Sequence, residues 1–296
     1  MTASSEREII LVSGASTGMG AATARQLAAR GFEVFAGVRR ATDGRDLESA
    51  GIRPVLLDIT RSDQIAALVE QIDADGRPLR AVINNAGIAI NGPLEVLRME
   101  DWRRQFDVNF FGHVEVTRAL LPALLKSRGR VVMVSSIGGR VAQPTYGAYS
   151  GSKYALEAVS DALRRELSPH GVTVVVVEPG AVRTELVGRG GETARTLVAG
   201  MTPEQQGRYG GLMQAILSQS EGFLRSGVDA SVAARSIAIA ATARRPKTRY
   251  TIGRDAAVLI GLARLLPDRV LDRALAAALR RSVPEDLSPR AGTSVS

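Results

Sequence analysis

The sequence predicts an α/β fold: a doubly wound, mainly seven-stranded parallel sheet with helices on both faces. Three observations carry that prediction. Short apolar runs alternate with stretches of helical periodicity through the first two thirds of the chain. The runs are continuously apolar rather than alternating, as strands are when both faces of a sheet are covered. The first run ends in the glycine-spaced segment SGASTGMG (13–20), which leads directly into a helical pattern.

EIILVS (8–13) is the first strand, and 19–30 is a helix that stops at Gly31. EVFAGV (33–38) and RPVLLDI (53–59) are the next strands, followed by a helix from Ser62, whose hydroxyl can cap it. RAVINNAG (80–87) is a fourth strand, a long helix covers about 100–127, and GRVVMVSS (129–136) is a fifth. A helix across 149–168 leads to VTVVVVEPG (172–180), almost purely β-branched and so a buried strand. Residues 228–242 are helical and TRYTIG (248–253) is the last strand. Residues 254–281 form an amphipathic helical pair broken at Pro267, and 283–296 are a polar, flexible tail. With no compositional break or repeat, residues 1–296 make a single domain. The Gly-, Arg- and Gln-rich insert at 183–226, beyond the end of a strand and with weakly amphipathic helical pieces such as PEQQGRYGGLMQAILSQ, is expected to be a substrate lid.

The 296 residues, 45% hydrophobic and 23% charged, are those of a soluble globular chain. The absence of cysteine excludes disulfide and thiolate chemistry. The opening MTASSEREIILVSG has acidic residues where an export leader needs a basic start, so a cytoplasmic location is expected. The net charge of +8 is uneven: residues 222–296 hold 13 basic and 6 acidic residues. No aromatic residues interleave with those arginines, so nucleic acid is not the expected partner. A solvated basic face is the plainer reading, with weak membrane-surface contact through the C-terminal helices as the alternative.

Gly14, Gly18 and Gly20 lie between the first strand and the first helix. Glycine permits the tight turn and lets the backbone approach a pyrophosphate, and the helix N-terminus offers N–H groups to the anion. Ser16, Thr17 and Met19 complete this loop. Acid–base chemistry is concentrated in YGAYSGSKYAL (146–156). The chain has only three lysines among 38 basic residues, and one of them, Lys153, stands four residues after Tyr149. Positions i and i+4 share a helix face. A nearby ammonium favours the phenolate, so Lys153 is expected to lower the Tyr149 pKa toward the working range. His113 and His170 have no metal-ligand companions, so no metal is expected and both are read as structural.

The G-x-x-x-G-x-G spacing at 14–20 occurs with NNAG (84–87), Asn109 in DVNFFG, SSIGG (135–139), Tyr149 and Lys153 in YSGSK, and EPG (178–180) with Thr184 beyond it. In this order the motifs resemble the short-chain dehydrogenase/reductase family along nearly the whole chain. VFAGVRR (34–40), SSIGGRVAQPTYGAYSGSKYALEA (135–158) and RYTIGRDA (249–256) are most similar to its branch of 17β-hydroxysteroid and retinol dehydrogenases. The resemblance implies a Rossmann-type fold and a nicotinamide cofactor. It places Asp58 and Ile59 beside the adenine, Asn85, Ala86 and Gly87 along the adenosine half, and Pro179, Gly180, Val182 and Thr184 at the cofactor. It makes Ser136 the group that orients the substrate oxygen, with Ser135 next door as competitor. It makes Asn109 the holder of a helix distortion and of a water that contacts Lys153. Lys153 would also bond the nicotinamide ribose.

The second strand ends at Val38 with no carboxylate and is followed by Arg39 and Arg40. A carboxylate there would favour NAD(H), whereas an arginine fork suits a 2′-phosphate. NADP(H) is therefore expected over NAD(H), with Arg39 as the main phosphate contact. The function expected is hydride transfer between nicotinamide and a hydrophobic alcohol, ketone or aldehyde of the steroid, retinoid or long-chain class. Its alternative is an NADP(H)-binding regulator of the same fold without turnover. Val141, Tyr146, Leu186, Val187, Leu212, Met213 and Ile216 are the apolar candidates for the substrate site, and Tyr154 is a packing residue. The family's usual assembly pairs helices 100–127 and 149–168 between subunits, which implies a homodimer or homotetramer.

Overall fold

A computed structural model describes residues 7–280. Seven parallel strands form one sheet in the order β3-β2-β1-β4-β5-β6-β9, with β1 Ile9–Val12, β2 Glu33–Val38, β3 Ile52–Leu56, β4 Leu79–Asn84, β5 Arg130–Val134, β6 Thr173–Pro179 and β9 Arg249–Ile252. Every pair in it is parallel. The first strand shows why the runs had to be apolar throughout. Ile10 and Val12 pack on one face with α1 (Gly18–Ala28) and α8 (Ala230–Thr242), while Ile9 and Leu11 pack on the other with α2 (Ser62–Asp75), α4 (Gly112–Ser127) and α5 (Gly147–Leu167). Ala233, Ala238, Ala240 and Ala241 let α8 lie close against its face of the sheet.

Ser62 does not cap α2. It is the first helical residue, Arg61 holds the cap position in an extended conformation, and no side chain bonds the first-turn amides. The helix expected across 100–127 has three parts. An α-helical segment, α3 (Met99–Phe106), runs into one π-helical turn over Asp107–Phe111 and continues as α4. The 183–226 insert folds as α6 (Glu185–Ala199) and α7 (Pro203–Ser226), preceded by a two-residue strand, β7 (Val182–Arg183), which pairs with β8 (Val228–Asp229). Thr202 and Gln205 close a capping box at the start of α7. The C-terminal pair is α9 (Arg254–Leu265) and α10 (Asp268–Arg280), parted at Pro267. The tail expected at 283–296 lies outside the described residues. Among the described residues, no helix is long and apolar enough to cross a membrane.

Candidate active site

The chain order reverses between β1 and β4, and there a parallel sheet leaves a crevice at its carboxyl edge. A cleft of about 390 Å³ lies at that place. It is lined by Gly14, Ser16, Thr17, Gly18, Met19 and Gly20 from the glycine loop, Arg39 after β2, Asp58 and Ile59 after β3, and Asn85, Ala86 and Gly87 after β4. Ser136, Tyr149, Lys153, Pro179, Gly180, Val182 and Thr184 line its other half. One cleft thus gathers the whole set of cofactor residues expected from the sequence.

The glycine loop fits a dinucleotide. Gly14 turns the chain at φ +63°, and a Cβ on it would come 2.7 Å from Ala86 Cα. A Cβ on Gly20 would overlap the Gly14 carbonyl. These absences keep the loop tight and its backbone bare. Thr17 is the N-cap of α1 but makes no side-chain cap, so the first-turn amides are left for an anion. Ser13 was not singled out from the sequence, yet its Oγ accepts from the amides of Asn85 and Ala86 at 3.0 and 3.1 Å. Asn85 Nδ2 returns bonds to the Ser13 and Gly14 carbonyls at 3.0 and 3.1 Å. These bonds lock the loops after β1 and β4 to each other.

Asn109 sits in the π-helical turn and is fully buried. Its amide holds both backbone groups of Ile88: Ile88 N–H donates to Oδ1, and Nδ2 donates to Ile88 O, both at 2.9 Å. Gln105, a second residue the sequence did not point to, repeats the device with Ile90 N–H and Ile88 O at 2.7 Å each. Two side chains therefore clamp the strand-like segment after Gly87, and the extra residue of the π turn places Asn109 on that face. Its Nδ2 also lies 3.3 Å from Ser152 Oγ on α5.

Tyr149 and Lys153 lie one turn apart on α5, as the spacing required. The expectation for the phenol is corrected. Burial pushes the Tyr149 pKa up, and Ser136 beside it only partly offsets that rise. Lys153 is itself 4% exposed, and its Nζ donates to Val134 O at 2.9 Å. Burial lowers the Lys153 pKa to about 8. The Lys153 ammonium is aimed at a backbone carbonyl of β5, and burial sets the sign of the phenol's shift. Ser136 Oγ accepts from Gly138 N–H at 3.1 Å, which leaves its own O–H to donate into the cleft. Ser135 Oγ is turned away, packed against Gly139 and Glu157.

Tyr146 stacks edge-on with Tyr149, with centroids 6.2 Å apart, and lies outside this cleft, as does the buried Val141. Leu186 and Val187 of α6 do line it. Met213 and Ile216 are buried, with Met213 in a cluster with Ala194 and Leu217, so they serve packing within the insert. Leu212 faces a second, largely apolar cavity of about 770 Å³ between residues 142–144, α7 and α10. Tyr154 is 45% exposed and is not a packing residue of the core.

His113, on α4, is fully buried with neither ring nitrogen bonded among the described residues. Burial, helped by the Lys153 charge, lowers its pKa to about 3. The unfolded chain takes up this proton near pH 6.5, whereas the folded chain does not until about pH 3. His113 should therefore cost about 1.4 kcal/mol of stability per pH unit as pH falls below 6.5. Urea unfolding at pH 7 and pH 5 should show about 2 kcal/mol less acid destabilisation in His113→Gln than in the parent. Equal losses would mean that His113 is charged in the fold.

The fold and cleft can be set beside known proteins. The family model described as short chain dehydrogenase matches residues 8–194. The uncharacterized oxidoreductase YbbO of Escherichia coli K12 is 34% identical, the match covering 90% of this chain and 93% of that protein. Human retinol dehydrogenase 5 is 36% identical, with 90% and 87% covered. A crystal structure of a short chain dehydrogenase from Burkholderia cenocepacia in complex with NADP superposes with a TM-score of 0.70 at 28% identity, covering 96% of this chain and 99% of that one. The parallel sheet, the glycine loop at its switch point and these likenesses agree, and the chain belongs to the short-chain dehydrogenase family, in its retinol dehydrogenase-like branch.

Proposed function

We propose that the protein is an NADP(H)-dependent oxidoreductase that interconverts a hydrophobic alcohol and its ketone or aldehyde. The observation that carries the cofactor choice is the pair after β2. Arg40 is held by Asp43, with Nη2 to Oδ1 at 2.8 Å, whereas Arg39 lines the cleft. Val38 supplies no carboxylate against a 2′-phosphate, and a guanidinium can bond one bidentately. The NADP in the Burkholderia relative agrees with this reading. Arg39→Gln is expected to weaken NADPH binding about tenfold or more and leave NADH binding within about twofold, a loss worth one charged hydrogen-bonding group. Fluorescence titration of both nucleotides reads this. Tighter binding of NADH than NADPH by the unaltered protein would overturn the cofactor assignment.

The bound nicotinamide supplies or accepts the hydride. The chain's own residues handle the oxygen. In reduction, Tyr149 Oη gives its proton to the substrate oxygen while Ser136 Oγ donates to it, and both oppose the negative charge that grows there. The raised Tyr149 pKa suits this direction, because the phenol keeps its proton at neutral pH. Lys153 supplies positive charge next to the phenol and a donor for the nicotinamide ribose. Asn109 fixes the backbone after Gly87 and, with Ser152, offers polar atoms for a water reaching Lys153. Leu186 and Val187 in the cleft and the apolar cavity beside 142–144 support a hydrophobic substrate. Phe111 in the π turn before α4, Leu125 on α4 and Tyr154 on α5 are exposed, which supports self-association through that helix pair.

A further inference from the structure

Behind the catalytic helix lies a cluster of charges that the proposed reaction does not use. Glu157, one turn beyond Lys153 on α5, is 5% exposed, and Glu178 on β6 is 1% exposed. Carboxylates this deeply buried need partners. Arg249 of β9 provides them: Nη2 lies 3.0 Å from Glu157 Oε2 and 2.9 Å from Asp161 Oδ1, and Nε lies 3.3 Å from Glu178 Oε1. Arg140, in the loop that follows Ser136, lies 3.8 Å from Glu157 and 3.9 Å from Glu178. Thr251 Oγ1 donates to Glu178 Oε2 at 2.9 Å.

The cluster joins the pieces that carry the site. The Ser135–Arg140 loop is seated on α5 at Gly139, where an added Cβ would stand 2.7 Å from Ser135 Oγ, 3.1 Å from Lys153 O and 3.2 Å from Glu157 Cγ. Glu178 immediately precedes Pro179 and Gly180 of the cleft. We propose that Glu157 is a positioning residue, whose carboxylate, held by Arg249 and Arg140, seats the Ser136 loop on α5 and places a negative charge one turn behind Lys153. This rests on the reading of Tyr149 and Lys153 as the proton-handling pair.

Tyr149 and Glu157 share the helix of Lys153, His113 faces it from α4 as a neutral ring, and the Arg140 and Arg249 guanidiniums lie beyond Glu157. Burial pushes the Glu157 pKa up, with Glu178 adding to the rise and Arg249 opposing it; as an anion Glu157 opposes the loss of the Lys153 proton, and Glu178 lies beyond, against the same guanidiniums. Removing the Glu157 charge lets the ammonium deprotonate at lower pH, and removing a neighbouring guanidinium does the reverse.

Lys126, Lys153 and Lys247 are the only lysines. Carbon-13 labelling at lysine Cε therefore allows Lys153 to be followed by NMR, assigned as the signal lost in Lys153→Met. In the unaltered protein Lys153 should titrate near pH 8. Glu157→Gln should lower that midpoint by about half a pH unit or more, and Arg140→Gln should raise it. Glu157→Asp, which restores the charge, should bring it back toward the parent value. An unchanged midpoint in folded Glu157→Gln would overturn the proposal. Should that variant not fold, an unchanged midpoint in Arg140→Gln would overturn it. Since the titration needs no substrate, failure of the catalytic reading is seen separately, as turnover that survives in Tyr149→Phe.

Discussion

Tyr149→Phe is expected to lower the rate of NADPH-dependent carbonyl reduction by about 10²–10⁴-fold, the span of a lost general acid. The phenyl ring keeps its place, because Tyr149 is held edge-on against Tyr146 and packs over Gly138. What disappears is the proton donor. Ser136 remains as the donor facing the substrate oxygen, but an aliphatic hydroxyl cannot yield its proton near neutral pH. The loss should therefore fall on kcat, with the NADPH dissociation constant almost unchanged, since the glycine loop and Arg39 are untouched. Burial also predicts the shape of the pH profile. A phenol with a raised pKa stays protonated through neutrality, so reduction should hold up there and decline only on the alkaline side. The measurement is NADPH oxidation against a panel of hydrophobic ketones and aldehydes across pH. Turnover retained by the phenylalanine variant would remove Tyr149 from the reaction.

The parts of the site legible in the sequence are those whose geometry is local. The glycine spacing sets a loop between one strand and one helix, and Tyr149 and Lys153 meet through a single helical turn. The strands were legible because a parallel sheet buried on both faces needs unbroken apolar runs, as Val174 to Val177 show. What could not be read depends on distant parts of the chain. Nothing in the pattern around Ser13 or Gln105 says that their side chains clamp the loops after β4, because each acts on backbone atoms many residues away. The distortion at Asn109 was implied by the family resemblance alone: the helical pattern over 100–127 runs on unbroken, and only the structure shows that the distortion is a π turn. The direction of the Tyr149 shift is not legible in the sequence, because spacing reveals the ammonium but not the depth of burial around the phenol. The helical pieces of 183–226 are only weakly amphipathic in sequence because half-apolar faces suffice where α6 and α7 cover each other.

Lys153 brings activity and stability into opposition, and its replacement by methionine should separate them. The folded chain binds the Lys153 proton only below about pH 8, whereas an unfolded lysine holds it to 10.5. Between those values the unfolded state binds more protons, so stability rises with pH; below pH 8 the fold bears the full cost, about 3 kcal/mol. Lys153→Met removes that cost but leaves the Val134 carbonyl without its 2.9 Å partner, which takes back about 1–3 kcal/mol. The clearest signature is therefore the slope: urea unfolding should show a rise in stability between pH 8 and 10.5 in the parent that is absent in Lys153→Met. Turnover should fall with it by at least about 100-fold, because the charge beside the phenol is gone. Lys153→Arg tests the same site from the other side. It keeps the charge but forces a planar fork of five donors into a buried space that holds a single ammonium, with one backbone carbonyl to receive it. Displacing the group by an ångström is enough to cost about 100-fold in rate, so this variant too should lose most activity. An arginine variant with near-parental kcat would show that charge alone suffices, and that the reach of a compact ammonium is not what this position requires.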